Sequence, residues 1–301
     1  MQTQSAWYST LIPLLFVFLW STGFIGAKLG LPYADPLTFL FIRMWMAATL
    51  FYLAVSISKS NWTLTPREMF HASVVGILFH ALYLGGVFVA ISLGTDAGFS
   101  ALIVSMQPLL TVLLAYLFLS ERMNAAKLIG IGLGLAGAAL VIMSKKTSGQ
   151  VTTAVSLLTD SSLIGLTLCL WSLLAISVGT IYQKKFCAQI DLLPSACIQY
   201  VAAASLLLPM AIITEPMKVV WHSKFALALL WLVLALSLGA VLLLLLLIRR
   251  NNAGNVASLF YLVPPFTAIE AWILFGETVS VMDIAGIALI VSGVALVLKT
   301  E

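Results

Sequence analysis

Four side chains inside long apolar runs have the chemistry to bind an ion or move a proton. Arg43 lies about two turns, roughly 10 Å, into the run that starts at Pro36. An ionisable group in hydrocarbon costs at least about 2.5–3.5 kcal/mol. Arg43 must therefore face protein, water or a partner, and a guanidinium suits the carboxylate of a substrate. A structural ion pair or snorkelling to the headgroups is the alternative. Glu270 sits in mid-run between Thr267 and Trp272. Protonation would relieve its burial cost, as a proton-coupling carboxylate requires. A neutral carboxyl bonded to a neighbouring helix is the other reading. His80 and Tyr83, three residues apart, share one helix face. Histidine is the side chain whose charge changes near neutral pH, so His80 either forms a proton-sensitive pair with Glu270 on a cavity wall or is a packed histidine without that role.

These positions are informative because charge is scarce. The 301 residues are 62% hydrophobic and 9% charged, with 15 basic and 11 acidic side chains. Soluble domains carry about 25% charged residues, so a soluble globule of this composition would have a nearly bare surface. Disorder is excluded for the same reason. The apolar runs are continuous, as in Leu128–Met143 and Val241–Ile248. They do not alternate as β-barrel strands do. The chain therefore reads as a bundle of membrane-spanning helices, with the lipid bilayer as its surroundings.

Ten spans are expected, near 9–28, 36–57, 68–92, 96–119, 125–143, 161–183, 191–213, 224–248, 253–275 and 281–298. Their loops are too short to hold a soluble domain. Basic residues favour the side of the N-terminus, with Lys59, Arg67, Arg122, Lys127, Lys184, Lys185, Arg249, Arg250 and Lys299 there. Lys28, Lys145, Lys146, Lys218 and Lys224 fall on the other side. The positive-inside rule then places both termini in the cytoplasm. The start of the chain lacks a basic segment before its first apolar run, which reads as a retained span.

An internal repeat organises the spans. A shift of 156 carries Ala97–Val141 onto Ala253–Val297. It pairs Ala97-Gly98 with Ala253-Gly254, Pro108 with Pro264, Thr111 with Thr267, Glu121 with Glu277, Gly130 with Gly286, and Gly137 with Gly293. It also pairs Asp35 with Asp191, and a slightly smaller shift sets Trp20-Ser21 on Trp171-Ser172. The first unit is read as 1–146, a polar linker as 147–160, and the second unit as 161–301. Five spans per unit make the second enter the membrane from the opposite side. Inverted repeats of this kind characterise alternating-access transporters, which bind substrate near the midplane between the repeats.

The repeat suggests what lines that site. Trp20 and Phe24 are one turn apart, with Trp171 as the expected repeat mate of Trp20. Gln107 and Tyr261 lie in the proline-containing spans 4 and 9. Together with Tyr83 and Arg43 they are candidates for an amphipathic substrate pocket. Pro108, Pro264 and Pro265 interrupt the helical hydrogen-bond ladder and give those spans a place to break. The glycines of spans 5 and 10 read as close-packing positions within the chain or in a homodimer. Glu121 and Glu277, at span ends on opposite faces, read as loop caps.

The sequence shows no phosphate-binding loop, no metal-ligand spacing and no nucleophile with a nearby base. Its basic residues form no nucleic-acid patch. Cys169, Cys187 and Cys197 fit neither a disulfide framework nor a metal site. No enzyme chemistry, cofactor, metal or nucleic-acid partner is expected. The alternative to a transporter is a non-transporting polytopic scaffold or assembly protein.

Phe18–Phe24, Pro36–Arg43, Gln107–Leu109, Phe118–Glu121, Leu262–Pro265 and Leu274–Glu277 carry a family likeness. Together they resemble the EamA (RhaT-like) family of the drug/metabolite transporter superfamily. The resemblance covers essentially the whole chain. It implies an inner-membrane permease, often an exporter of amino acids or related metabolites, with a central cavity shared by both repeats. Arg43, Pro108, Pro264, Glu121 and Glu277 match the family pattern. Span 7 departs from it, with Gln199-Tyr200 where a second arginine would fall. Proton coupling and facilitated diffusion both fit.

Overall fold

The computed structural model describes residues 3–58, 62–119, 124–147, 161–241, 243, 262–277 and 279–298. The helices are α1 (Thr3–Gly30), α2 (Pro36–Ser58) and α3 (Pro66–Ser92). Span 4 is two helices, α4a (Ala97–Val104) and α4b (Gln107–Leu119). The rest are α5 (Ala125–Thr147), α6 (Ser161–Phe186), α7 (Leu192–Thr214), α8 (Ser223–Ala240), α9 (Val263–Phe275) and α10 (Val281–Leu298). Seven helices are long and apolar enough to cross a membrane, and Ala125–Leu140, Val263–Phe275 and Val281–Leu296 are shorter apolar helices. Among the described residues, β-structure amounts to one antiparallel bridge, Ala34–Val219. The chain is an all-α integral membrane protein of two inverted five-helix repeats. The proposed linker at 147–160 lies, apart from Thr147 at the end of α5, outside the described residues.

Local sequence sets the helix ends. Thr65 and Glu68 cap each other at the start of α3, with Pro66 in its first turn. Gly276 closes α9 with φ 67°, which a residue with a Cβ adopts only with strain. Pro108 offers no N–H to the Val104 carbonyl, and span 4 turns away at Ser105–Met106 before α4b begins at Gln107. In the second repeat, α9 begins at Val263, the mate of Gln107, with Pro264 and Pro265 in its first turn.

The repeats interlock through pairs of mate helices. The mates α5 and α10 pack on each other, as do α2 and α7. Helix α1 packs on α8 and α9, and its mate α6 packs on α3 and α4b. The α5–α10 seam is a close backbone contact. A Cβ at Gly137 would lie 2.6 Å from the Gly286 carbonyl oxygen, and one at Gly293 would strike the Gly130 carbonyl. Gly137/Gly286 and Gly293/Gly130 are the same contact made twice, within one chain. Lipid gives helices no hydrophobic reason to associate, so such close backbone approach supplies the packing.

Two stretches have wide, π-helical turns: Ile77–Tyr83 in α3 and Leu232–Ala240 in α8. They coincide under the shift of 156. Such turns are frequent at functional sites, and these two carry His80, Tyr83 and Ser237.

Candidate functional site

A small cavity lies where the repeats meet. Trp20 and Phe24 of α1, Tyr83 of α3, Ala101 and Val104 of α4a, Gln107 and Pro108 of α4b, Ile176 of α6 and Val263 of α9 line it, with Ser105 at the break. It holds about 20 Å³, room for a water or two. The first turns of α4b and α9 both reach this cavity. Pro108 in α4b and Pro264 and Pro265 in α9 remove N–H groups that these helix starts would otherwise present, and what remains to favour an anion is chiefly the partial positive charge of each helix end. Gln107 is held in place by donating to the Thr180 hydroxyl at 2.9 Å.

Four of the expected pocket residues, Trp20, Phe24, Tyr83 and Gln107, share this wall. Tyr261 lies outside the described residues. Trp171 is not on the wall. It is 54% exposed on the outside of the bundle. The smaller shift that paired it with Trp20 is wrong for the fold. The shift of 156 sets Ile176-Ser177 on Trp20-Ser21, and Ile176 does line the cavity. Pro264 is buried and Pro265 half-buried in the first turn of α9.

Behind Tyr83 lies a polar cluster around Arg43. The guanidinium is 5% exposed. Its Nη2 lies 3.4 Å from the Ser237 hydroxyl, and its Nε has no partner. Tyr83 and Tyr200 are its electrostatic neighbours. Tyr200 bonds to Ser237, and the His80 ring stacks on Tyr200 at 4.2 Å while contacting Gln199. Gln199, the repeat mate of Arg43, also donates to the Ser195 hydroxyl. No carboxylate faces the guanidinium among the described residues. The structural ion pair that sequence left open for Arg43 is therefore not formed there.

Glu270 belongs to a second group. Its Oε1 is 2.7 Å from the Ser21 hydroxyl oxygen and its Oε2 has no partner. Ser21 Oγ is also 2.8 Å from the Phe18 carbonyl. One hydroxyl hydrogen serves one acceptor. A protonated Glu270 can donate to Ser21 while Ser21 donates to Phe18, and an ionised Glu270 must compete for the Ser21 hydrogen. Thr267 reaches the Ser21 carbonyl at 3.4 Å, tying the same turn of α1 to α9. The structure gives His80 and Glu270 different partners and does not join them as a pair. Sequence reading missed Ser21 and Ser237. A serine in an apolar run carries no spacing signal that names its partner on a distant helix.

At the face opposite the N-terminus, Glu277 does more than close a loop. It pairs with Lys28 at the end of α1 and accepts from the backbone N–H of Ala97 and Gly98, at 3.0 and 3.2 Å. Lys28 also lies 4.8 Å from the centre of the Phe275 ring. Glu121, the mate of Glu277, is outside the described residues.

Two five-helix repeats, a broken span 4 and a small cavity near a buried guanidinium that has no carboxylate partner among the described residues are the features of a membrane transporter. The comparisons agree. The EamA-like transporter family matches residues 7–143 and 163–299, and the chain belongs to that family. It is 28% identical over 292 residues to the uncharacterized transporter YvbV of Bacillus subtilis (strain 168), covering 96% of this chain and 91% of that protein. It is 26% identical over 297 residues to a probable amino-acid metabolite efflux pump of Salmonella typhimurium, covering 94% and 92%. The uncharacterized inner membrane transporter YedA of Escherichia coli (strain K12) is 24% identical, covering 93% and 87%. One crystal structure superposes with a TM-score of 0.68 at 20% identity, covering 96% of this chain and 97% of that one.

Proposed function

We propose that this transporter exports a small amino-acid-like metabolite across the inner membrane, with both termini in the cytoplasm and inward movement of protons as the driving force. The observation that carries the reading is Arg43, a buried guanidinium with an unfilled Nε and no acidic partner among the described residues. A substrate carboxylate is the counter-ion such a site lacks. Trp20, Phe24, Tyr83 and Ile176 would enclose an apolar body, and the positive ends of α4b and α9 would favour the carboxylate. The likeness to a named amino-acid metabolite efflux pump supports the same substrate class.

Glu270 carries the proton in this reading. When α1 and α9 separate, its bond to Ser21 opens and the carboxyl meets a new environment, which exchanges the proton. His80, stacked in the Arg43 cluster, would tune the substrate site instead of sharing the proton. The test is efflux of radiolabelled apolar amino acids from proteoliposomes across a range of internal and external pH. Wild-type protein is expected to export at least one of them faster when the receiving side is acidic. Glu270→Gln should remove the pH dependence, and His80→Ala should change affinity while leaving the pH profile in place. No export of any amino acid would overturn the substrate class. An unchanged profile in Glu270→Gln would overturn the proton role.

A further inference from the structure

We infer that Glu277 and Lys28 form the gate that closes the cavity on the face opposite the N-terminus. The proposal rests on the transporter reading but not on the identity of the substrate. Lys28 lies one turn beyond Phe24 on α1, and Ala97 one turn before Ala101 on α4a. Phe24 and Ala101 are both cavity walls. The latch therefore sits about 6 Å above the cavity, directly over it.

Its chemistry crosses the interface that must move. Lys28 and the Ala97–Gly98 amides belong to the first repeat, and Glu277 to the second. One carboxylate holds the end of α1 and the start of α4a to the turn between α9 and α10. Rocking the repeats apart at this face has to break all of these contacts together. The Glu277 side chain is 9% exposed and that of Lys28 30%. Water therefore screens the pair little, and charge-assisted bonds of this kind are the strong ones. Glu277 accepts at the N-terminus of α4a, where the helix dipole adds to the attraction.

The test needs no substrate. Ser105→Cys places a thiol on the cavity wall, and its reaction with a membrane-impermeant maleimide is timed from each side of the membrane. The buried native cysteines serve as the background. Adding Glu277→Ala should speed labelling from the face opposite the N-terminus by about tenfold, as loss of charge-assisted contacts shifts a closed population toward open. Lys28→Gln should give a smaller increase, because the α4a amides keep their acceptor. It also replaces Glu277→Ala if that variant fails to elute as a single species in detergent. Equal labelling rates in parent and latch variants, with Ser105→Cys reactive from both faces, would overturn the latch and leave the transporter reading standing. A thiol reactive from one face alone in every variant would overturn both.

Discussion

Arg43→Met should reduce transport about 10- to 150-fold while leaving the folded protein as stable as the parent or more so. Hydrogen bonds to a charged group are worth about 1.5–3 kcal/mol, which converts to that range. The stability side follows from burial. A guanidinium held at 5% exposure with an orphaned Nε pays a desolvation cost that no carboxylate repays among the described residues. An apolar side chain of similar length removes that cost and the 3.4 Å contact with Ser237, which is long for a hydrogen bond. Arg43→Lys should fall between, since an ammonium keeps the charge but cannot fork onto a carboxylate. Initial export rates in proteoliposomes and thermal unfolding in detergent separate the two effects. A large loss of stability in Arg43→Met, with normal transport by the protein that remains folded, would make Arg43 a structural residue.

The second large effect is on folding. Gly137→Leu and Gly293→Leu should each cost at least about 3 kcal/mol, the upper part of the range for overpacked sites. The nearest atoms in the way are backbone carbonyls, Gly286 O for one and Gly130 O for the other, with Ile290 N and Gly134 N close behind beside the side chains of Ile290 and Leu133. Rotamer changes relieve a clash with a side-chain tip, but backbone yields only if α5 and α10 separate along their length. Gly132→Leu on the same helix is the control. Its Cβ would meet no heavy atom within 4 Å, and leucine gains up to about 1 kcal/mol of helix propensity over glycine. The readouts are folded yield and melting temperature. Equal melting temperatures for Gly132→Leu and Gly137→Leu would sink the seam. The two glycines should also be non-additive, because the first substitution already parts the helices that the second would part.

The bundle was legible because lipid imposes one solution on a chain. Backbone groups must be satisfied inside each span, so apolar length alone marks the helices. The break in span 4 was legible for a similarly local reason, since Pro108 removes a donor whatever surrounds it. The repeat, with Gly137 on Gly293 and Gly130 on Gly286, was visible because these copies still face equivalent neighbours. Trp171 misled for the same reason. A matching dipeptide scored as a mate, although its register puts the indole on the outside of the bundle.

Partnerships between polar groups were decided by the fold alone. Rarity and depth singled out Arg43, His80 and Glu270, but helical periodicity fixes only which residues share a face of one helix. Which face meets which depends on crossing angles and on wide turns, such as Ile77–Tyr83 and Leu232–Ala240, that composition does not announce. Those turns bring His80, Tyr83 and Ser237 round Arg43, and the packing of α1 on α9 gives Glu270 to Ser21. The sequence by itself determined a ten-span inverted repeat and the few charges inside it. Only the tertiary structure decided that the cation and the carboxylate occupy separate clusters, because each bond is made between helices far apart in the chain.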